Sequence, residues 1–136
     1  MLHYSPSRAA LDEAVLLRAV GRLDEEMDAA AQEGRAAEAY LRLAAPSQED
    51  RAAALVMVTM LRRGGAAPLP PAVAHAVERW QSLIADELGD PVRAKVVRLV
   101  GDGLFSEALL TGAPPSPRLL EQLIEHLVTD WRASRP

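Results

Sequence analysis

Apolar residues recur every three or four positions along most of the chain, which is the period of an amphipathic helix. The first such run lies between Ser7 and about Glu33, and its apolar positions are Leu11, Val15, Ala19, Leu23 and Met27. Either Ser5 or Ser7 is suited to cap its start, and Gly34 is suited to end it. Because the alternation found in strands is almost absent, the sequence predicts an all-α fold, an antiparallel bundle of about six helices.

The remaining five helices are predicted from capping residues, prolines and glycines. With their caps, their expected extents are residues 35–44, 47–63, 70–88, 90–112 and 116–131. The fifth and sixth helices have the clearest starts, because in each a polar cap precedes a first-turn proline. The third helix is apolar on nearly all sides, so we expect it to form the centre of the core.

The composition is that of an ordinary globular domain. The chain has 136 residues, of which 49% are hydrophobic and 25% charged. Its longest apolar run, residues 52–61, is shorter than the roughly 20 residues that a membrane helix needs, and no export signal is recognisable. Cysteine is absent, which excludes disulfides and thiolate chemistry. We therefore expect a cytoplasmic protein that does not contact a membrane.

Charge and short motifs exclude several function classes. The net charge of −4 argues against strong nucleic-acid binding by this chain, because such binding depends on neutralising phosphates. The sequence contains no Gly-x-Ser-x-Gly motif, no Gly-rich phosphate-binding loop and no His-Glu-x-x-His. His75 and His126 lack partners at metal-binding spacing, and the acidic run 24–28 is interpreted as a solvated helix face. The sequence therefore predicts no enzyme, no metal site and no cofactor.

The last two predicted helices carry more apolar surface than one side of a small core requires, and the excess would be an exposed patch unless a partner covered it. Gly101 and Gly103 lie in the middle of the fifth helix, where a glycine costs up to about 1 kcal/mol relative to alanine. The close approach of another backbone would offset that cost. We therefore expect a homodimer held by a four-helix bundle. The expected interface residues are Val96, Leu99, Gly103, Leu120, Leu123, Ile124, Leu127 and Trp131.

Two segments carry a family resemblance. Residues 93–127 resemble the C-terminal regulatory domain of tetracycline-repressor-like (TetR family) transcriptional regulators. The penultimate helix of that domain often reads Val-Arg-Leu-x-x-Asp-Gly-Leu, which is found here at 97–104, before a Gly/Pro turn and a Leu-rich final helix. The opening residues 2–8 resemble the end of the family's recognition helix and the Pro-Ser turn after it, with Arg8 in place of Lys and Ser5 in place of a Phe.

The resemblance implies a domain organisation. Residues 1–6 are expected to be a remnant of a DNA-binding helix-turn-helix domain, and residues 7–136 a ligand-binding and dimerisation domain. His3, Tyr4 and Arg8 correspond to residues that contact phosphates or bases in the family, although a solvated terminus is the alternative. We expect little DNA binding from this chain, because that contact requires an intact helix-turn-helix domain. Three explanations of the missing part of that domain are compatible with the sequence: a misassigned start, a trimmed chain, or a genuine short protein that forms heterodimers with an intact relative and blocks its DNA binding.

The resemblance also implies an effector cavity enclosed by the middle helices, which would bind an apolar or amphipathic small molecule. The expected lining residues are Tyr40, Met57, Met60, Leu61, Trp80, Leu83 and Phe105, with plain core packing as the alternative for each. The alternative function is a helical dimerisation or interaction module without a ligand, in which these residues would form a filled core. A filled interior with no enclosed cavity near Met60, Trp80 and Phe105 would favour the module without a ligand.

Overall fold

Helices account for the secondary structure of the residues that the computed structural model describes, which are 7–43, 47–63 and 69–135, the side chains of 61–63 excepted. No strand occurs among these residues, so the prediction of an all-α fold is confirmed. The helices are α1 (Arg8–Gln32), α2 (Ala36–Arg42), α3 (Gln48–Arg63), α4 (Pro71–Leu88), α5 (Pro91–Thr111), α6 (Pro117–Ile124) and α7 (Asp130–Ala133). A π-helical turn, Glu125–Thr129, joins α6 to α7, and these three segments are together called the C-terminal helix.

The predicted caps form and fix most of the helix boundaries. The Oγ atoms of Ser7 and Ser116 and the carboxylate of Asp90 accept hydrogen bonds from backbone N–H groups in the first turns of α1, α6 and α5. Gly89 and Gly112 end α4 and α5 with positive φ angles of 69° and 76°, a region that L side chains rarely adopt. These local interactions explain why the boundaries could be predicted.

The first turn of α3 carries a reciprocal capping box. The backbone N–H of Asp50 donates to Ser47 Oγ at 3.2 Å, and the backbone N–H of Ser47 donates to Asp50 Oδ2 at 3.0 Å. The Asp50 side chain, although shorter, thus accepts the hydrogen bond that a glutamate or glutamine usually accepts at this position.

The main core lies where α1, α2, α4, α5 and the C-terminal helix meet. Its largest fully buried side chains are Met27, Leu41, Ile84, Leu88 and Val97. The expectation that α3 forms the centre of the core is wrong. Among its residues 48–60, whose side chains the structure describes, only the small Ala53 and Ala54 are buried, whereas Leu55 is 68% exposed and Val58 is 43% exposed. The reason is that α3 packs against α1 through alanines and no other described helix covers its outer face.

The C-terminal helix is attached to the end of α4 through Trp131. The indole N–H of Trp131 donates to the carbonyl oxygen of Leu88 at 3.1 Å, which satisfies a carbonyl that the helix terminus leaves free. The guanidinium carbons of Arg93 and Arg135 lie 4.4 Å and 5.4 Å from the centroid of the indole ring, within cation–π range. Trp131 therefore serves the packing of its own subunit.

Candidate functional site

A cleft with a volume of about 700 Å³ lies between α1, α3, α4 and α5, and α2 adds its C-terminal end. Its walls are predominantly apolar. Residues from all five helices contribute to them, among them Leu16 and Val20 from α1, Met57 from α3, Val73 and Val77 from α4, and Phe105 from α5. A concave, mostly apolar site of this size is typical of a binding site for a small organic molecule.

Two aromatic rings lie together at the inner end of the cleft lining. Tyr40 is 9% exposed and Trp80 is 6% exposed, and their ring centroids are 6.4 Å apart with planes inclined at 50°. The Tyr40 ring packs directly on the backbone of α5, because a Cβ atom placed on Gly101 would lie 2.7 Å from ring carbons Cδ1 and Cε1. Gly101 therefore has its structural role inside the subunit, where it leaves room for an aromatic ring.

Polar contacts hold the Tyr40 ring in place. Its hydroxyl donates a hydrogen bond to Oδ1 of Asp102, and Arg98 Nη1 contacts Asp102 Oδ2 at 2.7 Å. Arg98 Nε in turn donates to Gln81 Oε1 at 2.6 Å, which links α5 to α4. Burial, and then the hydrogen bond to Asp102, raise the pKa of Tyr40 above its usual value. The phenol is therefore a neutral hydrogen-bond donor at any physiological pH.

A second carboxylate orients Trp80. Asp24 Oδ1 accepts a hydrogen bond from Trp80 Nε1 at 2.5 Å and also pairs with Arg79. The interpretation of residues 24–28 as a solvated helix face is therefore wrong for Asp24, and Met27 in the same run is fully buried. This run crosses from the solvated face of α1 to its core face, so its acidic residues do not share one environment.

Asp50 lies on the α3 side of the cleft. Desolvation is the largest single influence on this carboxyl and raises its pKa, but the hydrogen bonds from Arg22 and Ser47 together outweigh it. The pKa of Asp50 is therefore lowered, and the group is ionised near neutral pH. Glu78 on α4 and Asp102 on α5 also line the cleft.

The structure brings together four of the seven expected ligand-binding residues. Tyr40, Met57, Trp80 and Phe105 line the cleft. Met60 lies beside it, packed against the small cluster of buried residues between α1 and α3. Leu83 does not reach the cleft, because it lies beyond Trp80 at the level of the end of α1, in a separate depression that Glu87 also lines. The side chain of Leu61 lies outside the described residues.

The expected interface residues divide between the surface and the core. Val96 and Leu99 are 39% and 53% exposed, and Gly103 is exposed with no atom near the position of a Cβ. Leu120, Leu123 and Leu127 are half-buried. Ile124 is 5% exposed and packs into the main core, and Trp131 is engaged with the end of α4.

Val96, Leu99 and Gly103 belong to a longer exposed stripe. Val92, which is 73% exposed, precedes them, and Leu110, which is 88% exposed, follows them. Spacings of four, three and four residues keep the first four positions on one face of α5. We call this surface of α5 the outer stripe; its five residues are Val92, Val96, Leu99, Gly103 and Leu110.

The structure gives little support to the DNA-contact residues that the sequence predicts. His3 and Tyr4 lie outside the described residues, and Arg8 is exposed at the start of α1, where its Nε lies 3.4 Å from Asp12 Oδ1. Within the described ranges no group of three or more His, Cys, Asp or Glu side chains could hold a metal ion. No helix over the same ranges is long and apolar enough to cross a membrane.

Comparisons with known proteins agree with the helical architecture. The family model described as the tetracyclin repressor-like C-terminal domain matches residues 34–130, from the end of α1 to the last helical segment. Neither a search of curated proteins nor a search of solved structures found a match.

Proposed function

This chain belongs to the tetracyclin repressor-like family, through its C-terminal domain, and from that premise we propose that it is the effector-sensing and dimerisation part of a transcriptional regulator. It binds an apolar or amphipathic small molecule in the cleft and pairs with a second copy through α5 and the C-terminal helix. A cytoplasmic location and the division into residues 1–6 and 7–136 belong to the same proposal. Family membership suggests a regulatory domain that binds a ligand and dimerises.

The cleft is the observation that carries the sensing proposal. An interaction module without a ligand has no need for a concave, mostly apolar cleft of about 700 Å³ beside its core, whereas a small-molecule site has these properties. Here the cleft lies against Trp80 and Phe105, and three helices contribute carboxylates to its lining. These features favour the sensor over a module with a filled core.

The position of α5 gives the two proposed activities a common element. Gly101, Asp102 and Phe105 face the cleft, whereas the outer stripe of the same helix is exposed. Leu16 and Val20 of α1 also line the cleft, and α1 corresponds to the helix that follows the DNA-binding domain in the family. A ligand that fits one arrangement of α1 and α5 better than another would shift the equilibrium between them.

The sensing proposal is tested by closing the cleft. Ala74 lines the cleft from an exposed position of α4, so the variant Ala74→Trp obstructs part of it with little effect on the core. Ala72→Trp places the same side chain on an exposed position of α4 outside the lining. In a thermal-shift screen against metabolites and hydrophobic drugs, we expect ligands that stabilise the wild type and Ala72→Trp but not Ala74→Trp. Equal stabilisation of all three proteins would place binding elsewhere. If no compound raised the melting temperature of the wild type, the proposal would be contradicted.

The dimerisation proposal is tested on the outer stripe. Leu99→Glu introduces a charge at the middle of the stripe, and Leu55→Glu introduces the same charge at an exposed leucine of α3. By light scattering across a dilution series, we expect the wild type and Leu55→Glu to be dimers and Leu99→Glu to dissociate at a higher concentration, because a buried unpaired charge is costly. A wild type that is monomeric at all concentrations would refute this part of the proposal.

A further inference from the structure

The charged side chains that line the cleft all have the same sign. Asp50, Glu78 and Asp102 reach the lining from α3, α4 and α5. No Lys, Arg or His belongs to the lining within the part of the chain that the structure describes. A predominantly apolar cavity of this kind presents negative charge to any molecule that enters it.

The basic groups near the cleft only partly neutralise these carboxylates. Arg98 pairs with Asp102, and Arg22 pairs with Asp50, but neither arginine lines the cleft. Arg22 Nε also lies 3.4 Å from Glu49 Oε2, so that one guanidinium is shared between two carboxylates. Among the described residues no basic nitrogen lies within 4.0 Å of a carboxylate oxygen of Glu78. The lining therefore retains net negative charge.

The aromatic side chains add a second feature that favours positive charge. Tyr40, Trp80 and Phe105 lie in the same lining, and the rings of Tyr40 and Trp80 are inclined to each other rather than stacked. The face of an aromatic ring attracts a cation, most strongly where water is excluded. An organic ammonium in this cleft would have aromatic rings and carboxylates as neighbours, and its apolar body would contact the aliphatic walls.

We propose that the ligand of this cleft is a lipophilic cation, an aromatic or bulky aliphatic molecule with one protonated amine or quaternary ammonium group. This inference rests on the proposed function, because it presupposes that the cleft binds a small molecule. A carboxylate ligand of the same shape would be repelled by the lining. A neutral one would gain the apolar contacts but would leave the charge of the lining without a partner.

The test compares three probes that share a naphthylmethyl group in calorimetric titrations of the full chain. They are the naphthylmethyl-trimethylammonium ion, its neutral carbon isostere neopentylnaphthalene, and naphthylacetate. The variant Glu78→Gln removes one negative charge from the lining, and Glu13→Gln removes one from an exposed position of α1 outside it. Neither side chain is buried, and thermal melts of each variant verify that it folds.

We expect the cation to bind at least about tenfold more tightly than the neutral isostere, and naphthylacetate to bind most weakly. Glu78→Gln should weaken binding of the cation about three- to tenfold and leave the affinity for the neutral probe unchanged, whereas Glu13→Gln should change neither affinity. If the neutral or the anionic probe binds as tightly as the cation, this inference is overturned while the sensing proposal stands. If all three probes fail to bind, this inference is overturned, and the thermal-shift screen against metabolites and hydrophobic drugs decides the sensing proposal separately.

Discussion

Replacing Gly101 with alanine tests how tightly the ring of Tyr40 packs on α5. Two effects oppose each other in this variant. Alanine is the better helix former by about 1 kcal/mol in a helix interior, which stabilises the protein. The new Cβ, however, would lie 2.7 Å from two ring carbons, whereas ordinary contact begins at 3.4 Å, so the ring must move.

The size of the net effect follows from how the ring is held. The Tyr40 side chain is buried, its hydroxyl is bonded to Asp102, and its own carbonyl oxygen lies 3.6 Å from the new Cβ. Overpacking of a rigid interior costs typically about 1–3 kcal/mol. We therefore expect Gly101→Ala to lower the free energy of unfolding by about 1 kcal/mol, after the gain in helix propensity is subtracted.

Gly21 provides the matched control, because it lies in the interior of α1 with no atom within 4 Å of the position that a Cβ would occupy. Gly21→Ala should raise the free energy of unfolding by about 0.5–1 kcal/mol. Urea denaturation followed by circular dichroism measures the change in unfolding free energy of both variants. The shift in midpoint reports stability as long as the m value is unchanged. In the background of Tyr40→Leu, the cost of Gly101→Ala should largely disappear. The packing argument is refuted if Gly101→Ala stabilises the protein as much as Gly21→Ala does.

Two further predictions concern partly buried carboxylates. Glu87→Ala should lower the free energy of unfolding by about 2–3 kcal/mol, because it removes the acceptor of two backbone N–H groups at the start of α2. The substitution Asp86→Ala at the exposed neighbouring residue should change that free energy by less than about 0.5 kcal/mol. Chemical denaturation compares the two variants, and equal effects would contradict this role of Glu87. Asp50 has a pKa below its ordinary value of 3.8, so its stabilising contribution is complete above that pH and is lost as the pH falls through the lowered pKa. The difference in urea midpoint between the wild type and Asp50→Asn should therefore be constant from pH 7 to about pH 5 and shrink in strong acid, and a difference that persists unchanged at about pH 2 would refute it.

Helix boundaries were the most predictable part of this fold, because they depend on interactions between residues close in sequence. Asp90 and Ser116 bond to N–H groups two or three residues away, and Gly112 adopts the left-handed conformation that ends α5. The π-helical turn was not predicted. In it the N–H of Asp130 donates to the carbonyl of Glu125, five residues back, and no local motif marks that shift.

The candidate site was predictable in its aromatic residues but not in its aliphatic walls or its polar contacts. Large apolar residues on the middle helices indicated a cavity or a core, and Tyr40, Trp80 and Phe105 do line the cleft. The carboxylates that orient two of these rings come from distant positions, Asp24 to Trp80 and Asp102 to Tyr40. Periodicity gives the face on which a residue lies, but not the neighbour that it meets from a distant part of the chain.

The short helix α2 shows why those distant contacts matter for the cleft. Seven residues are too few for a helix to be stable by itself, and α2 has no side-chain cap of its own. The Glu87 carboxylate of α4 supplies that cap from 51 residues away, accepting from the N–H groups of Ala36 and Ala37 at 2.8 Å and 2.9 Å, and Arg132 holds this carboxylate at 2.8 Å.

Each neighbour of α2 is bonded to a different part of it. Asp102 of α5 holds the hydroxyl of Tyr40, and Glu121 of α6 contacts Arg42 at 2.7 Å near its C-terminal end. The Tyr40 side of the cleft is therefore fixed only as firmly as α4, α5 and the C-terminal helix keep their positions around α2. A movement of α5 relative to α4 cannot preserve both the Glu87 cap at the start of α2 and the bond from Tyr40 to Asp102, which couples the shape of the cleft to the same helix that carries the outer stripe.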